Sequence, residues 1–246
     1  MAVPSRATLQ DALSTYGLRL RGGWTPGGSD ALPTLHGGHP AAVVWMVGVV
    51  GSEFWPFFKA SAPYQDYLQD GVPDPLDRWS RAIGNDLANR WGGVALYPFD
   101  GPPYHPFQQW ATCAEPLQAS PLMLRIHPEH GLWHAYRFAL ALPELTPGDL
   151  AGGTPPPPHL PSQDLCLTCD GQPCLSVCPV QAFTGTTYQL DACAAHLHTP
   201  EGGVDCMTTG CLARRACPVG PGGRYVPEHA AFHMQAFAGH NGGNSC

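Results

Sequence analysis

Eight cysteines in the segment 166–217 constrain the fold of this chain more than any other feature of its sequence. The first set, CLTCDGQPCLSVCP, comprises Cys166, Cys169, Cys174 and Cys178. The second set comprises Cys193, Cys206, Cys211 and Cys217, and each set ends in a Cys-Pro pair. Thiols grouped in this way in a reducing compartment indicate metal or redox chemistry rather than structural disulfides. The other two cysteines, Cys113 and Cys246, lie outside the pattern, and we expect them to be buried or tail thiols.

The spacing of the thiols favours iron–sulfur clusters. In bacterial two-cluster ferredoxins the run is C-x2-C-x2-C-x3-C-P, and the fourth cysteine of each run binds the other cluster. The present chain resembles that pattern, although it inserts two residues between Cys169 and Cys174 and stretches the second set. Zinc also favours cysteines two residues apart, but the Cys-x3-Cys-Pro ending is unusual for zinc. Zinc and disulfides remain the weaker alternatives.

The ferredoxin resemblance implies a crossed pairing of the two sets. Carried over position by position, it assigns cluster 1 to Cys166, Cys169, Cys174 and Cys217. It assigns cluster 2 to Cys178, Cys193, Cys206 and Cys211. Each cluster is expected to be of the [4Fe-4S] type and to pass single electrons.

Charge and hydropathy limit the partners of the chain. Its 246 residues carry a net charge of -7 at pH 7, whereas affinity for phosphate backbones needs clustered Lys and Arg. We therefore expect no nucleic acid partner. The longest apolar run, AAVVWMVGVVG, is far shorter than the ~20 residues that cross a bilayer, so no membrane partner is expected. The first residues, MAVPSRATLQ, lack the pattern of a secretory signal, which favours a cytoplasmic protein.

A Pro/Gly-rich stretch divides the chain into two parts. The segment 147–163, PGDLAGGTPPPPHLPSQ, contains four consecutive prolines and favours an extended linker. Residues 1–146 are predicted to form an α+β domain that binds a cofactor or a partner. Residues 164–246 are predicted to form the dicluster iron–sulfur module with a C-terminal helix.

Hydrophobic periodicity predicts the elements of both parts. Helices are expected over ATLQDALSTYG and PLDRWSRAIGNDLANRWGG, where apolar residues recur every three or four positions. Strands are expected over AAVVWMVGVVG, GVALYPF, PLMLRIHP and GLWHAYRFALALPEL, forming one sheet covered by helices. The last helix, VPEHAAFHMQAFAG, is predicted to have Pro227 in its first turn and Gly239 after its end.

A wider resemblance links the two parts. The order of an α+β half, the segment HPEHGLWHAYRFALAL, CPVQAF, the lone cysteine of QLDACAAHL and a second Cys-Pro run resembles epoxyqueuosine reductase and the reductive dehalogenases. In those enzymes a nitroreductase-like domain binds cobalamin beside two [4Fe-4S] clusters. The resemblance implies a nitroreductase-like N-terminal domain followed by a ferredoxin-like module. The chain lacks the larger corrinoid-binding half of the dehalogenases and the helical repeats of epoxyqueuosine reductase, so transfer RNA modification is not expected.

The resemblance also implies candidate site residues. An aspartate that donates a proton precedes the HPEHG-like strand in epoxyqueuosine reductase, and the nearest counterpart here is Asp100 in YPFDGPPYHPF. Tyr104 and His105 in the same stretch are further candidate catalytic residues, although DGPP is also a typical turn. The candidate cofactor-binding residues are Tyr97, His134 and Tyr136, of which the last two alternate along one face of a strand.

Two functions are compatible with these features. The first is an iron–sulfur oxidoreductase that reduces a bound corrinoid such as cobalamin, with FMN as a variant cofactor. Its electrons would come from a ferredoxin, a flavodoxin or a reductase. The second is an electron carrier whose N-terminal half docks a partner enzyme and binds no cofactor.

The histidine pair His196 and His198 has no third metal ligand at a regular spacing, so we expect both to be surface or hydrogen-bonded residues.

Overall fold

The structure, a computed structural model, describes residues 4–28, 30, 32–35, 38–150 and 164–241. The chain divides into two compact units, Met1–Pro116 with Ala135–Leu160, and Leu117–His134 with Pro161–Cys246. The segment 117–134, which the sequence grouped with the N-terminal half, thus belongs to the second unit. Most of the predicted linker, 147–163, lies outside the described residues.

The described residues form six strands and eleven α-helices, which confirms the α+β class. The strands are β1 (Arg19–Trp24), β2 (Val43–Val50), β3 (Val94–Leu96), β4 (Gln118–Ala119), β5 (Arg125–Ile126) and β6 (His134–Leu142). The first five helices are α1 (Arg6–Ser14), α2 (Trp55–Lys59), α3 (Ala62–Asp70), α4 (Pro75–Trp91) and α5 (Phe107–Ala114). The others are α6 (Pro173–Ser176), α7 (Leu190–Leu197), α8 (Pro200–Val204), α9 (Cys206–Thr209), α10 (Leu212–Arg215) and α11 (Pro227–Asn241).

A four-stranded sheet in the order β1-β2-β6-β3 forms the centre of the first unit. The pair β1 and β2 is antiparallel, as is the pair β3 and β6. All eight residues of β2 are buried, as expected for an apolar strand covered on both faces. This run was predicted as a strand, and the prediction is confirmed.

Helix α4 covers part of this sheet and confirms its predicted amphipathic pattern. The helix begins at Pro75 and ends before Gly92, which adopts a left-handed conformation. Its buried face includes Leu76, Trp79, Ile83 and Leu87, the spacing of a stripe that packs on a core. The same face holds the helix against β3 and orients the YPFDGPPYH segment that follows.

Three details of the predicted elements are wrong. The strands do not form a single sheet, because β5 pairs with β4 in a separate two-stranded sheet of the second unit. Most of PLMLRIHP is a turn, in which the Ser120 amide donates to the Leu124 carbonyl. Helix α11 does begin at Pro227, but it runs through Gly239 to Asn241, whose side-chain amide donates to the Phe237 carbonyl.

Short helices make up most of the second unit. Helices α6 to α10 have only four to eight residues each. One small core consists of Leu122, Ile126, Leu132, Ala213 and Cys217, against which further cysteines pack. A second cluster contains Leu197, Cys206 and Ala238. In the parts of the chain that the structure describes, no helix is both long and apolar enough to cross a membrane.

Candidate metal centres

Four thiols of the second unit surround one small cavity. Cys166, Cys169, Cys174 and Cys217 line a void of about 20 Å³ together with apolar side chains that include Ile126 and Leu165. Three of these thiols belong to the first set of the sequence and one to the second. The fold therefore brings Cys217 to the first set across the chain, and we name these four residues thiol group A.

Local hydrogen bonds hold the loop of thiol group A in place. The Asp164 carboxylate accepts from the backbone amides of Cys166 and Leu167 at 3.0 and 3.1 Å. The Gln172 side-chain amide donates to the Cys166 carbonyl at 2.8 Å. Helix α6 then carries Cys174 in its first turn. Sequence reasoning missed Asp164 and Gln172, although an Asp two residues before a loop turn is a typical Asx-turn signal.

The second group of thiols lies around helices α7, α9 and α10. Burial raises the pKa of Cys193 and of Cys211, and the nearby Cys178 thiol acts in the same direction on both. Burial raises the pKa of Cys206 as well, and the nearby Cys211 thiol acts in the same direction, so these two residues are neighbours. These four residues, Cys178, Cys193, Cys206 and Cys211, are thiol group B.

Burial raises the pKa of several of these thiols and so disfavours their ionisation when no metal is bound. It raises the pKa of Cys166 to about 11 and that of Cys206 to about 12. Backbone amides oppose this effect, as those of Arg214 and Ala213 do at Cys211, the N-cap of α10. A metal that binds thiolates must displace these protons, so ligand binding here is coupled to proton release.

Among the described residues, no three thiols of either group lie as close together as the ligands of a single zinc ion. A tetrahedral zinc site with bonds of ~2.3 Å places its sulfur ligands about 3.8 Å apart. Among the described residues, the one group of three or more metal-ligating side chains whose donor atoms all lie within 4.8 Å is His196, Asp205 and Cys206. Neither thiol group meets that limit, and none of the described cysteines forms a disulfide.

The HPEHG segment packs against the chain just after Cys217, a member of thiol group A. Gly131 has a φ of +58°, and a Cβ at this position would lie 2.0 Å from the Val219 carbonyl oxygen, two residues after Cys217. The guanidinium of Arg214 donates to the Leu132 carbonyl and lies over the ring of Trp133. These contacts tie the segment 117–134 to the second Cys-Pro run.

Asp100, the candidate proton donor, forms an ion pair within the first unit. Arg81 of α4 donates to Asp100, and the side chain of Asp100 is 37% exposed. The hydrogen bond to Asp100 raises the pKa of Arg81. Tyr97 is 1% exposed and packs in the core, where its hydroxyl group bonds to the Asn85 side chain at 2.8 Å. Both residues are thus engaged by α4.

The other predicted site residues differ in exposure. Tyr104 is 65% exposed, and His105 stacks on the ring of Trp110 at 5.3 Å between centroids. His134 forms a hydrogen bond with the Arg125 carbonyl at 3.1 Å. Tyr136 donates to the partly buried Glu115 carboxylate. Of these residues, Tyr104 offers the most accessible polar group.

Glu115 belongs to a buried charge network that sequence reasoning missed. Arg21 donates to Glu115 at 2.9 Å and to the Val49 carbonyl at 3.0 Å. The Arg21 side chain is 3% exposed. Burial raises the pKa of Tyr136, and the Glu115 charge acts in the same direction while Arg21 opposes it. Arg21 lies on β1 and Glu115 follows α5, and no sequence pattern predicted their contact.

Two histidine predictions have different outcomes. Cys246 lies outside the described residues. His198 is exposed, as predicted, but His196 is largely buried beside Asp205 and Cys206. No spacing rule links His196 to these residues, because α8 intervenes between them.

Comparison with known proteins identifies a similar fold. No protein-family model matches the sequence, and no curated protein sequence matches it. The crystal structure of CblC from C. elegans, a B12-trafficking protein and a homologue of human MMACHC, superposes with a TM-score of 0.52. The two chains are 13% identical, and the match covers 97% of this chain and 96% of CblC. At this identity the similarity establishes a shared fold.

Proposed function

We propose that this chain is an iron–sulfur redox protein that passes single electrons through two [4Fe-4S] clusters to a corrinoid bound by its first unit. Thiol group A would hold cluster 1, and thiol group B would hold cluster 2. The corrinoid is the substrate and electron acceptor. The observation that carries the proposal is the arrangement of four thiols from both cysteine sets around one void.

The donor set supports clusters over the alternatives. All eight thiols are unbridged, and neither group is contracted to the size of a zinc site. The meeting of Cys217 with the first set and of Cys178 with the second matches the crossed ligation of dicluster ferredoxins. Apolar neighbours such as Ile126 limit the access of water, which influences the reduction potential of a bound cluster.

The corrinoid assignment rests on two independent similarities. The sequence resembles cobalamin-dependent reductases with two clusters, and the fold is similar to that of a protein described as trafficking B12. In the first unit, Tyr104 and His105 are the candidate residues that could contact such a substrate. Asp100 could donate a proton only after it leaves Arg81, since the ion pair holds its carboxylate.

The chain's own residues have defined tasks in this scheme. The cysteines bind and orient the clusters, and the clusters supply one-electron transfer. Backbone amides next to Cys211 and Cys217 oppose the effect of burial on the thiol pKa, and therefore favour the thiolates that bind iron. A ferredoxin, a flavodoxin or a reductase would supply the electrons, one at a time.

Anaerobic purification followed by iron and sulfide analysis tests the clusters. We expect about eight iron and eight sulfide ions per chain, four of each for every cluster. The loaded protein is then mixed with hydroxocobalamin and a reduced low-potential dye, and the cobalamin spectrum is followed. Faster cobalt reduction than with the dye alone supports the proposal.

Other outcomes contradict specific parts of it. Zinc in place of iron would refute both clusters. A full complement of iron without cobalamin binding or reduction would refute the corrinoid substrate and favour an electron carrier that docks a partner enzyme. Copurification of a stoichiometric flavin would instead favour FMN as the group bound by the first unit.

Replacing Asp100 tests its role as proton donor. Asp100→Asn removes an exposed ion pair, so we expect the free energy of unfolding to fall by no more than about 1 kcal/mol. Asp86→Asn is the matched control, because Asp86 is paired with Arg90 on the same helix. If Asp100 donates a proton, cobalamin reduction falls in Asp100→Asn and not in Asp86→Asn. Equal rates in both variants would remove Asp100 from the mechanism.

A further inference from the structure

His196, Asp205 and Cys206 form a compact group at the junction of α7, α8 and α9. An imidazole nitrogen, a carboxylate oxygen and a thiol sulfur lie within 4.8 Å of one another. We call these three residues the mixed-donor group. They are the three kinds of ligand that zinc and similar divalent ions take in proteins.

The imidazole Nε2 atom of His196 lacks a hydrogen-bond partner. The His196 side chain is 9% exposed, and its buried Nε2 atom makes no hydrogen bond with any described residue. The closest charged atom is Asp205 Oδ1, at 3.5 Å. A buried polar nitrogen that stays unsatisfied destabilises the fold, so a ligand that binds it would stabilise this region.

The backbone holds the three donors in place. Thr199 Oγ1 donates to the His196 carbonyl at 2.8 Å and accepts from the Gly202 amide at 3.1 Å, which joins the end of α7 to the start of α8. The Asp205 side chain accepts from the Cys206 amide and so caps α9. Cys206 itself is 7% exposed. The donors therefore come from the last turn of α7 and from the start of α9 with its N-cap residue.

We propose that the mixed-donor group binds one divalent transition-metal ion of the Zn²⁺ class whenever cluster 2 is not assembled. His196 Nε2, Asp205 Oδ1 and Cys206 Sγ are the protein ligands, and the fourth tetrahedral position is left for water. Zinc bonds of ~2.0–2.3 Å need the donor atoms to approach one another by roughly 1 Å. Binding displaces the proton of the Cys206 thiol to solvent.

This inference rests on the proposed function in one respect. Cys206 is also assigned to cluster 2, so the single ion and the complete cluster compete for one thiolate. The mixed-donor group then decides whether thiol group B is open for cluster assembly. An ion bound at His196 and Asp205 holds Cys206 away and leaves three thiols, Cys178, Cys193 and Cys211.

A cobalt titration tests the site directly. The parent is the full chain with Cys178→Ser and Cys211→Ser, reconstituted with iron and sulfide to fill thiol group A and then titrated anaerobically with Co²⁺. We expect one Co²⁺ per chain, with d–d absorption of a tetrahedral ion and a weak thiolate-to-cobalt charge-transfer band. Adding His196→Ala should weaken binding by about tenfold or more. Adding His198→Ala, two residues further on and exposed, should leave binding unchanged.

Equal Co²⁺ affinity in the parent and in the His196→Ala variant would overturn the proposal, as would a parent that binds no Co²⁺. Iron content before the titration reports separately on thiol group A. Its loss together with retained Co²⁺ binding contradicts the cluster assignment and leaves the mixed-donor group intact.

A second measurement needs no change to the thiols. The cluster-free wild-type chain is loaded with one equivalent of Zn²⁺ and then given iron and sulfide. We expect iron uptake to fall by about half, since one of two [4Fe-4S] clusters is blocked. Asp205→Asn keeps an oxygen to cap α9 but removes the charged ligand, so uptake should recover. Unimpaired uptake in the zinc-loaded wild type would contradict the proposal.

Discussion

Single residues in this protein divide into candidate ligand-binding groups and residues that hold the surrounding loops in place. Cys169 lies on the rim of the void. Asp164 and Gln172 instead fix the loop through backbone groups. In the first unit the same division separates the accessible Tyr104 from Tyr97, which belongs to the core.

Replacing Cys169 tests its assignment to cluster 1. Cys169→Ala should lower the iron content from about eight to about four ions per chain, because one cluster loses a ligand. Iron analysis and the reduced-state EPR spectrum measure the loss. Cys113→Ala, which removes a free thiol of the first unit, is the control and should keep all the iron. Full iron content in Cys169→Ala would contradict the assignment.

The Tyr136 hydroxyl tests the buried network of the first unit. Tyr136→Phe leaves Glu115 buried with one donor fewer, so we expect the free energy of unfolding at neutral pH to fall by about 1–3 kcal/mol. Urea unfolding measures this change. Tyr104→Phe is the control, because the Tyr104 side chain is 65% exposed and its loss should change stability little.

The same variant has a pH signature. Because burial raises the pKa of Tyr136 above the ordinary value of ~10, the folded state favours the neutral phenol. Its contribution is complete below pH ~10 and is lost as the pH rises further, since the unfolded chain ionises first. Stability of the wild type should therefore fall more steeply above pH ~10 than that of Tyr136→Phe. Parallel curves would show that Tyr136 does not titrate with unfolding.

At the scale of elements, the tight turn of the HPEHG segment connects the sheet strand β6 to the cysteine module. The His127 amide and the Gly131 carbonyl bond to each other at 2.9 Å, and the reverse pair bonds at 2.8 Å. These two hydrogen bonds close the turn at Gly131. Its close approach to Val219 positions the chain just after Cys217.

Replacing the turn glycine should disturb thiol group A. In Gly131→Ala a Cβ would lie 2.0 Å from the Val219 carbonyl oxygen, so the Cys217 segment must shift. We expect faster loss of iron to a chelator, followed by the decay of the visible absorption. Gly171→Ala is the control, since Gly171 has a similar φ of +64° but nothing within 4 Å of a Cβ. Equal rates of loss would mean that backbone strain alone, and not the clash, is responsible.

At the scale of the whole molecule, the two units are stabilised in different ways. The first has a continuous apolar core around the fully buried β2. The second has a small core that contains Cys217 and is bordered by four more cysteines, Cys166, Cys174, Cys178 and Cys211. Its short helices would be marginal in isolation, because helices below ~12–15 residues are rarely stable alone.

Removing the iron should therefore unfold part of the second unit and spare the first. Metal binding is coupled to folding where ligands form much of a small core. Amide hydrogen exchange before and after anaerobic chelation measures the effect region by region. We expect protection to be lost in α6 to α10 and retained in β2. Unchanged protection in α6 to α10 would show that this unit folds without its clusters.

Local sequence patterns determined much of this protein. Short sequence patterns predicted the apolar strand β2, the apolar stripe of α4 and the two cysteine sets. Side-chain periodicity and ligand spacing are local properties, so a few residues suffice to identify them. The helix end at Gly239 was wrong because an interior glycine lowers helix stability without ending the helix.

Only the tertiary structure decided which distant groups meet. It brought Cys217 to the first cysteine set, engaged Asp100 with Arg81, and buried His196 beside Asp205. These contacts join residues on different elements, and no spacing rule connects such positions. The sequence alone thus determined the kinds of ligand that the chain carries, while packing decided which of them share a site, because that choice depends on how the elements fold against one another.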